Sequence, residues 1–122
     1  TMSEQFVVPE TLPEWLTQED LDFYVKENTG TGFRGGLNWY RNINRIPSLL
    51  APFAGETINQ PSLYLYGEHD LIAGNTAEAI QLMKESLPDL RGCIKFDGAG
   101  HWLQQERAQG VNSELLNFLK SI

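Results

Sequence analysis

The chain has 122 residues, 41% of them hydrophobic and 20% charged, with a formal net charge of −7 and an isoelectric point near 4.7. This is material for one modest soluble domain, and its acidity without a basic cluster argues against nucleic acid or an anionic membrane surface as partner, favouring a neutral or cationic small molecule. No run of about eighteen apolar residues exists for a membrane span, and the N-terminus has neither the charged nor the apolar region of a signal peptide.

Thr1 ahead of Met2 reads as a start inside a longer gene product or after a processed tag. Pro13-Glu14-Trp15-Leu16 leads to Thr17, which can cap a helix whose early acids, Glu19 and Asp20, suit its positive end. Leu21, Tyr24 and Val25 share a face of that helix, and Asn28-Thr29-Gly30 is expected to end it. The run Gly32-Phe33-Arg34-Gly35-Gly36-Leu37-Asn38-Trp39-Tyr40-Arg41-Asn42 packs two arginines and several aromatics into a short helical stretch after glycines. Residues 46–57, with Pro47, Pro52 and Gly55, read as a connecting loop.

Pro61-Ser62-Leu63-Tyr64-Leu65-Tyr66-Gly67-Glu68-His69-Asp70 follows, a strand rich in apolar and aromatic residues with Asp70 just past its carboxyl end. Residues 75–87 carry Ala79, Ile80, Leu82, Met83 and Leu87 near helical spacing, with Asn75 as the cap. A second strand, residues 92–97, leads into Gly98-Ala99-Gly100, which releases His101 into a loop. Residues 111–122 place Leu115, Leu116 and Leu119 on one face of a terminal amphipathic helix. Strand, helix and strand at this length make an α/β chain with a βαβ unit, its strands parallel and its crossover right-handed.

In such a unit both strand ends lie on one edge of the sheet, where open α/β proteins place their sites. Asp70 and His101, 31 positions apart, can then be neighbours. A carboxylate beside an imidazole fixes its tautomer and stabilises the imidazolium, which makes a general base. Taken singly, either residue reads as readily as part of a solvated turn, and His69 reads as a turn residue. Acid before histidine, each after its own strand, is the chain order of the α/β-hydrolases. Two histidines and one cysteine do not make a zinc site, and no P-loop or Gly-x-Gly-x-x-Gly after a strand supports a nucleotide, so no cofactor and no metal is expected. Cys93, the only cysteine, cannot form an internal disulfide; its apolar strand predicts a buried, inert thiol and a reducing, cytoplasmic setting.

Pro13-Glu14-Trp15-Leu16-Thr17, the run from Gly32 to Asn42, Gly67-Glu68-His69-Asp70 and Gly100-His101-Trp102 together resemble the C-terminal part of soluble epoxide hydrolases of the α/β-hydrolase superfamily. The run from Phe33 to Arg41 is the most specific of the four. The resemblance implies late helices of a cap domain and a connecting loop over residues 1–57, and the C-terminal part of the hydrolase core over 58–122. It implies an aspartate nucleophile that opens the epoxide to form an ester, after which His101, oriented by Asp70, activates the water that hydrolyses it. Tyr40 matches the second of two cap tyrosines that hydrogen-bond the epoxide oxygen, where negative charge develops on ring opening. Its plain alternative is an interface aromatic. Phe33, Trp39 and Trp102 read as walls of a substrate pocket or as core, and Arg34 and Arg41 as holders of helix ends or carboxylates.

The nucleophile turn, the oxyanion loop and the first cap tyrosine of that family have no match here, and Ala108 stands where proline is frequent. Two parallel strands leave sheet edges and apolar faces uncovered, so the chain is expected to be marginal alone, needing the nucleophile-bearing half or self-association. The preferred function is a part of an epoxide hydrolase acting on a small-molecule epoxide. Its rivals are a non-catalytic interaction module derived from a hydrolase, and a dehalogenase or esterase of the same fold.

Overall fold

A computed structural model describes residues 9–71 and 77–122. The Thr1-Met2 start and Asn75, the expected helix cap, lie outside the described residues. The chain divides into two compact units, Thr1–Pro52 and Phe53–Ile122.

In the first unit, α1 spans Gln18–Thr31. Thr17 starts it with a reciprocal cap: its Oγ1 accepts from the Asp20 backbone N–H at 3.1 Å, and its own N–H donates to Asp20 Oδ2 at 3.0 Å. The Thr17 hydroxyl, then the Thr17 backbone, hold the Asp20 carboxyl below the usual carboxylate range. Thr17→Ala is expected to cost α1 about 1 kcal/mol. Amide exchange should then be faster over 18–24 with little change in the second unit.

The helix outruns the expected Asn28-Thr29-Gly30 stop. Asn28, Thr29 and Thr31 side chains donate to the carbonyls of Tyr24, Val25 and Glu27, four residues back, at 2.7–2.8 Å. These polar groups are satisfied within the helix, and the break falls at Gly32, whose φ of +66° suits glycine.

Helix α2 covers Arg34–Arg41, within the predicted stretch. Residues 46–57 are not simply a loop: a 3₁₀ turn at Ile43–Arg45 runs into α3, Ile46–Leu50, and a further turn at Ala51–Phe53. Pro47 sits in the first turn of α3, where its missing N–H would have had no intrahelical partner. None of α1, α2 or α3 carries a buried residue.

The second unit runs β1 (Ser62–Gly67), α4 (Ala77–Ser86), β2 (Leu90–Phe96), α5 (Leu103–Glu106) and α6 (Ala108–Lys120). The strands pair in parallel, Leu63 with Gly92 through Gly67 with Phe96. Side-chain alternation therefore puts Leu63, Leu65, Ile94 and Phe96 on one face and Tyr64, Tyr66, Cys93 and Lys95 on the other. Leu65 and Phe96 of the first face pack on Ala99, Leu103 and Val111. Gly110 lets α6 approach closely, since a Cβ there would sit 2.6 Å from Phe96 Cε1. On the second face Tyr64 and Tyr66 stack with centroids 5.3 Å apart, and burial, then the Asp70 charge, push the Tyr64 phenol up.

Three expectations change. Cys93 is half-buried, not buried, because it belongs to the incompletely covered tyrosine face. In α4 the half-buried residues are Ala79, Ile80 and Met83, with Leu87 just beyond the helix; Leu82 falls about a quarter-turn off that stripe and is 58% exposed. In α6 the sheet is met by Val111 and Phe118, so the stripe of Leu115, Leu116 and Leu119 stays exposed.

Candidate active site

Strand β1 ends at Gly67, and the chain turns so that the Asp70 N–H reaches the Gly67 carbonyl at 3.3 Å. Two further backbone bonds tie this turn to the end of β2 and the loop after it: Glu68 N–H to Phe96 O at 3.0 Å and His69 N–H to Ala99 O at 2.8 Å. Gly67 has no room for a side chain, since an added Cβ would meet the Gly100 oxygen and stand 2.5 Å from the Ala99 oxygen. This close approach carries the His101 loop over the end of β1.

There the two sequence-predicted residues meet. His101 Nδ1 is 3.1 Å from both Asp70 oxygens. A carboxylate only accepts, so the proton lies on Nδ1 and, in the neutral ring, Nε2 holds the lone pair. Asp70 is 10% exposed and His101 48%, a sheltered anion behind an accessible ring. Trp102 packs edge-on to His101 at 5.2 Å.

Around the pair, charged groups hold the loop. Glu68 accepts from the Gly98 N–H at 2.9 Å and from Lys95 Nζ at 3.3 Å; the Gly98 amide first, then Lys95, lower its carboxyl. Lys95 also bridges Asp97 at 2.8 Å, which lowers the Asp97 carboxyl and raises the lysine. Glu106, half-buried, accepts from the Gly100 N–H at 2.6 Å and the Trp102 N–H at 3.0 Å. Neither Glu106 nor the close approach at Gly67 follows from the sequence pattern. A carboxylate four residues after Trp102, at the last position of the short helix α5, is the local signal for the first.

Phe33, Trp39 and Tyr40 belong to the first unit. Phe33, Leu37 and Tyr40 recur at i, i+4 and i+7 along α2 and form an exposed stripe, with Tyr40 72% exposed. Trp39 lines a shallow hollow with Asn38, Asn42 and Ile46, and Phe33 lines another with Tyr24 and Val25. Arg41 donates to Asn38 Oδ1 at 3.0 Å within the helix. Among the described residues, no group of three His, Cys, Asp or Glu is placed to hold a metal ion, and no helix is long and apolar enough to cross a membrane.

No family model matches the chain. It is 45% identical over 93% of its length to epoxide hydrolase A of Mycobacterium tuberculosis, covering 35% of that protein. In structure it matches epoxide hydrolase A of Mycobacterium thermoresistibile, with a TM-score of 0.78, 47% identity, and coverage of 92% of this chain and 34% of that one. A Vigna radiata epoxide hydrolase mutant superposes with a TM-score of 0.88 at 37% identity, covering 93% of this chain and 37% of the other. The chain is homologous to the C-terminal part of epoxide hydrolases of the α/β-hydrolase fold. It spans about a third of the length of these epoxide hydrolases. The parallel strand pair, with acid and histidine after successive strands, is thereby a piece of an α/β-hydrolase core rather than a complete sheet.

Proposed function

We propose that the chain supplies the water-activating end of an epoxide hydrolase that works through an ester intermediate. The observation that carries this reading is the His101 Nδ1 contact with both Asp70 oxygens at 3.1 Å, which leaves Nε2 as the basic nitrogen. An aspartate outside these 122 residues attacks an epoxide carbon; the carbon–oxygen bond breaks, and Tyr40 gives a hydrogen bond or its proton to the departing oxygen. His101 Nε2 then takes a proton from water as its oxygen attacks the ester carbonyl, Asp70 stabilises the imidazolium, and collapse releases a diol and the carboxylate. Phe33, Trp39 and Trp102 form apolar walls for the substrate.

Support for Tyr40 is chemical: a phenol keeps its proton at neutral pH and can meet a developing alkoxide, which a phenyl ring cannot. The test is a chimaera in which this chain replaces the equivalent third of the Mycobacterium tuberculosis relative, assayed for hydrolysis of a terminal aryl epoxide. Turnover that disappears in Asp70→Asn sustains the reading; a folded chimaera without turnover sinks it. In the same protein Tyr40→Phe should slow ring opening about 10- to 100-fold and leave hydrolysis of preformed ester unchanged. Unaltered ring opening would remove Tyr40 from the mechanism.

A further inference from the structure

We infer that Glu106 is a positioning residue for the general base, acting on the ester-hydrolysis step through the backbone on either side of His101; this rests on the function proposed above. Its carboxylate spans the histidine. One oxygen accepts the Gly100 N–H at 2.6 Å and the other the Trp102 N–H at 3.0 Å. Those amides belong to the 99–100 and 101–102 peptide planes, so only the intervening plane is left to pivot. The direction of the His101 Cα–Cβ bond follows from that bracket.

The loop needs such a bracket because of its composition. Gly98, at φ +66°, and Gly100 both lie within three residues of His101, and glycine gives the backbone more freedom than any other residue. Ala99, fully buried, anchors the loop on Leu103 and Val111 only on the β2 side of the histidine. Beyond it, His101 and Trp102 are both exposed. Charge-assisted bonds to two amides are stronger than neutral ones, and an acceptor with two equivalent oxygens holds both at once. Glu106 is itself fixed by α5, where its own N–H bonds the Trp102 carbonyl at 2.9 Å. Helix, carboxylate and loop close a small ring with His101 at its apex.

The ester-hydrolysis step is the one that depends on this placement. Ring opening by the external aspartate does not require His101 to accept a proton, whereas attack by water requires Nε2, water and ester carbon in line. Displacements of about an ångström at such a centre cost up to about 100-fold in rate.

Glu106→Gln tests this: the amide retains one acceptor and turns a donor toward the second N–H. In the chimaera, single-turnover analysis should show ester hydrolysis about tenfold slower, ring opening within about twofold of wild type, and ester accumulating. Gly100→Ala should produce a smaller slowing of the same step, because its Cβ would stand 3.1 Å from Glu106 Oε1 and crowd the carboxylate without removing it. If Glu106→Gln does not fold, Gly100→Ala decides alone. Equal slowing of both steps, or no slowing, overturns the inference. An activity-free readout is the pair of Gly100 and Trp102 amide proton signals in the folded chimaera, expected downfield and shifted upfield by Glu106→Gln. If the wild-type chimaera is inactive, the function proposed above fails. The amide shifts then still decide whether Glu106 holds the loop: unmoved signals overturn that, and upfield movement upholds it.

Discussion

His101→Gln in the chimaera is expected to leave epoxide ring opening intact and to slow ester hydrolysis by about 100- to 10,000-fold. Glutamine keeps a polar side chain near Asp70, within the same loop held by Ala99 and Glu106. What it loses is the basic nitrogen that Nδ1–H donation to Asp70 leaves at Nε2. Mixing enzyme with excess epoxide should therefore give one rapid turnover and then almost nothing, with enzyme recovered by mass spectrometry heavier by the mass of one epoxide. Steady turnover at the wild-type rate, or a variant that never opens the epoxide, would contradict the assignment of His101 to the second step.

Gly67→Ala is expected to cost about 3 kcal/mol of stability in the second unit and to disturb the contact between Asp70 and His101 at the same time. Its added Cβ would lie against the backbone oxygens of Ala99 and Gly100 rather than against a flexible side chain, so the strand end or the loop must shift. The same approach supports the His69 to Ala99 hydrogen bond and brings His101 over Asp70. A fall in the urea midpoint together with loss of the downfield Nδ1 proton of His101 is the predicted signature. Unchanged stability would mean that the close contact relaxes freely. By contrast Gly35 and Gly36, with nothing within 4 Å of an added Cβ, should accept alanine without steric cost.

Much apolar surface is exposed in both units. Among the described residues, only Ala99, Leu103 and Val111 are buried hydrophobics, while Trp39 is 80% exposed and the α6 leucine stripe is open. Area-based burial energies leave so small a core little margin against chain entropy.

Local chemistry made much of this readable in advance. A threonine followed three residues later by an acid starts α1, the aromatic run 62–67 is a strand, and glycines after apolar strands release Asp70 and His101 into loops on one sheet edge. Each depends on neighbours within a few positions, or on the general rule that consecutive parallel strands share an edge. The helix at Ile46–Leu50 was hidden by Pro47, which breaks a helix in its interior but not in its first turn.

By itself, then, the sequence determined the capped first helix, the two strands and the terminal helix, the order of acid and histidine, and the family resemblance of its aromatic run. Only the tertiary structure decided that Asp70 meets His101 at 3.1 Å, that Gly67 is a contact point rather than a mere turn, and that Glu106 brackets the histidine. Those facts follow from the register of β1 on β2 and from how α5 seats on the loop. Pairings between segments about thirty residues apart leave no periodic trace in either one.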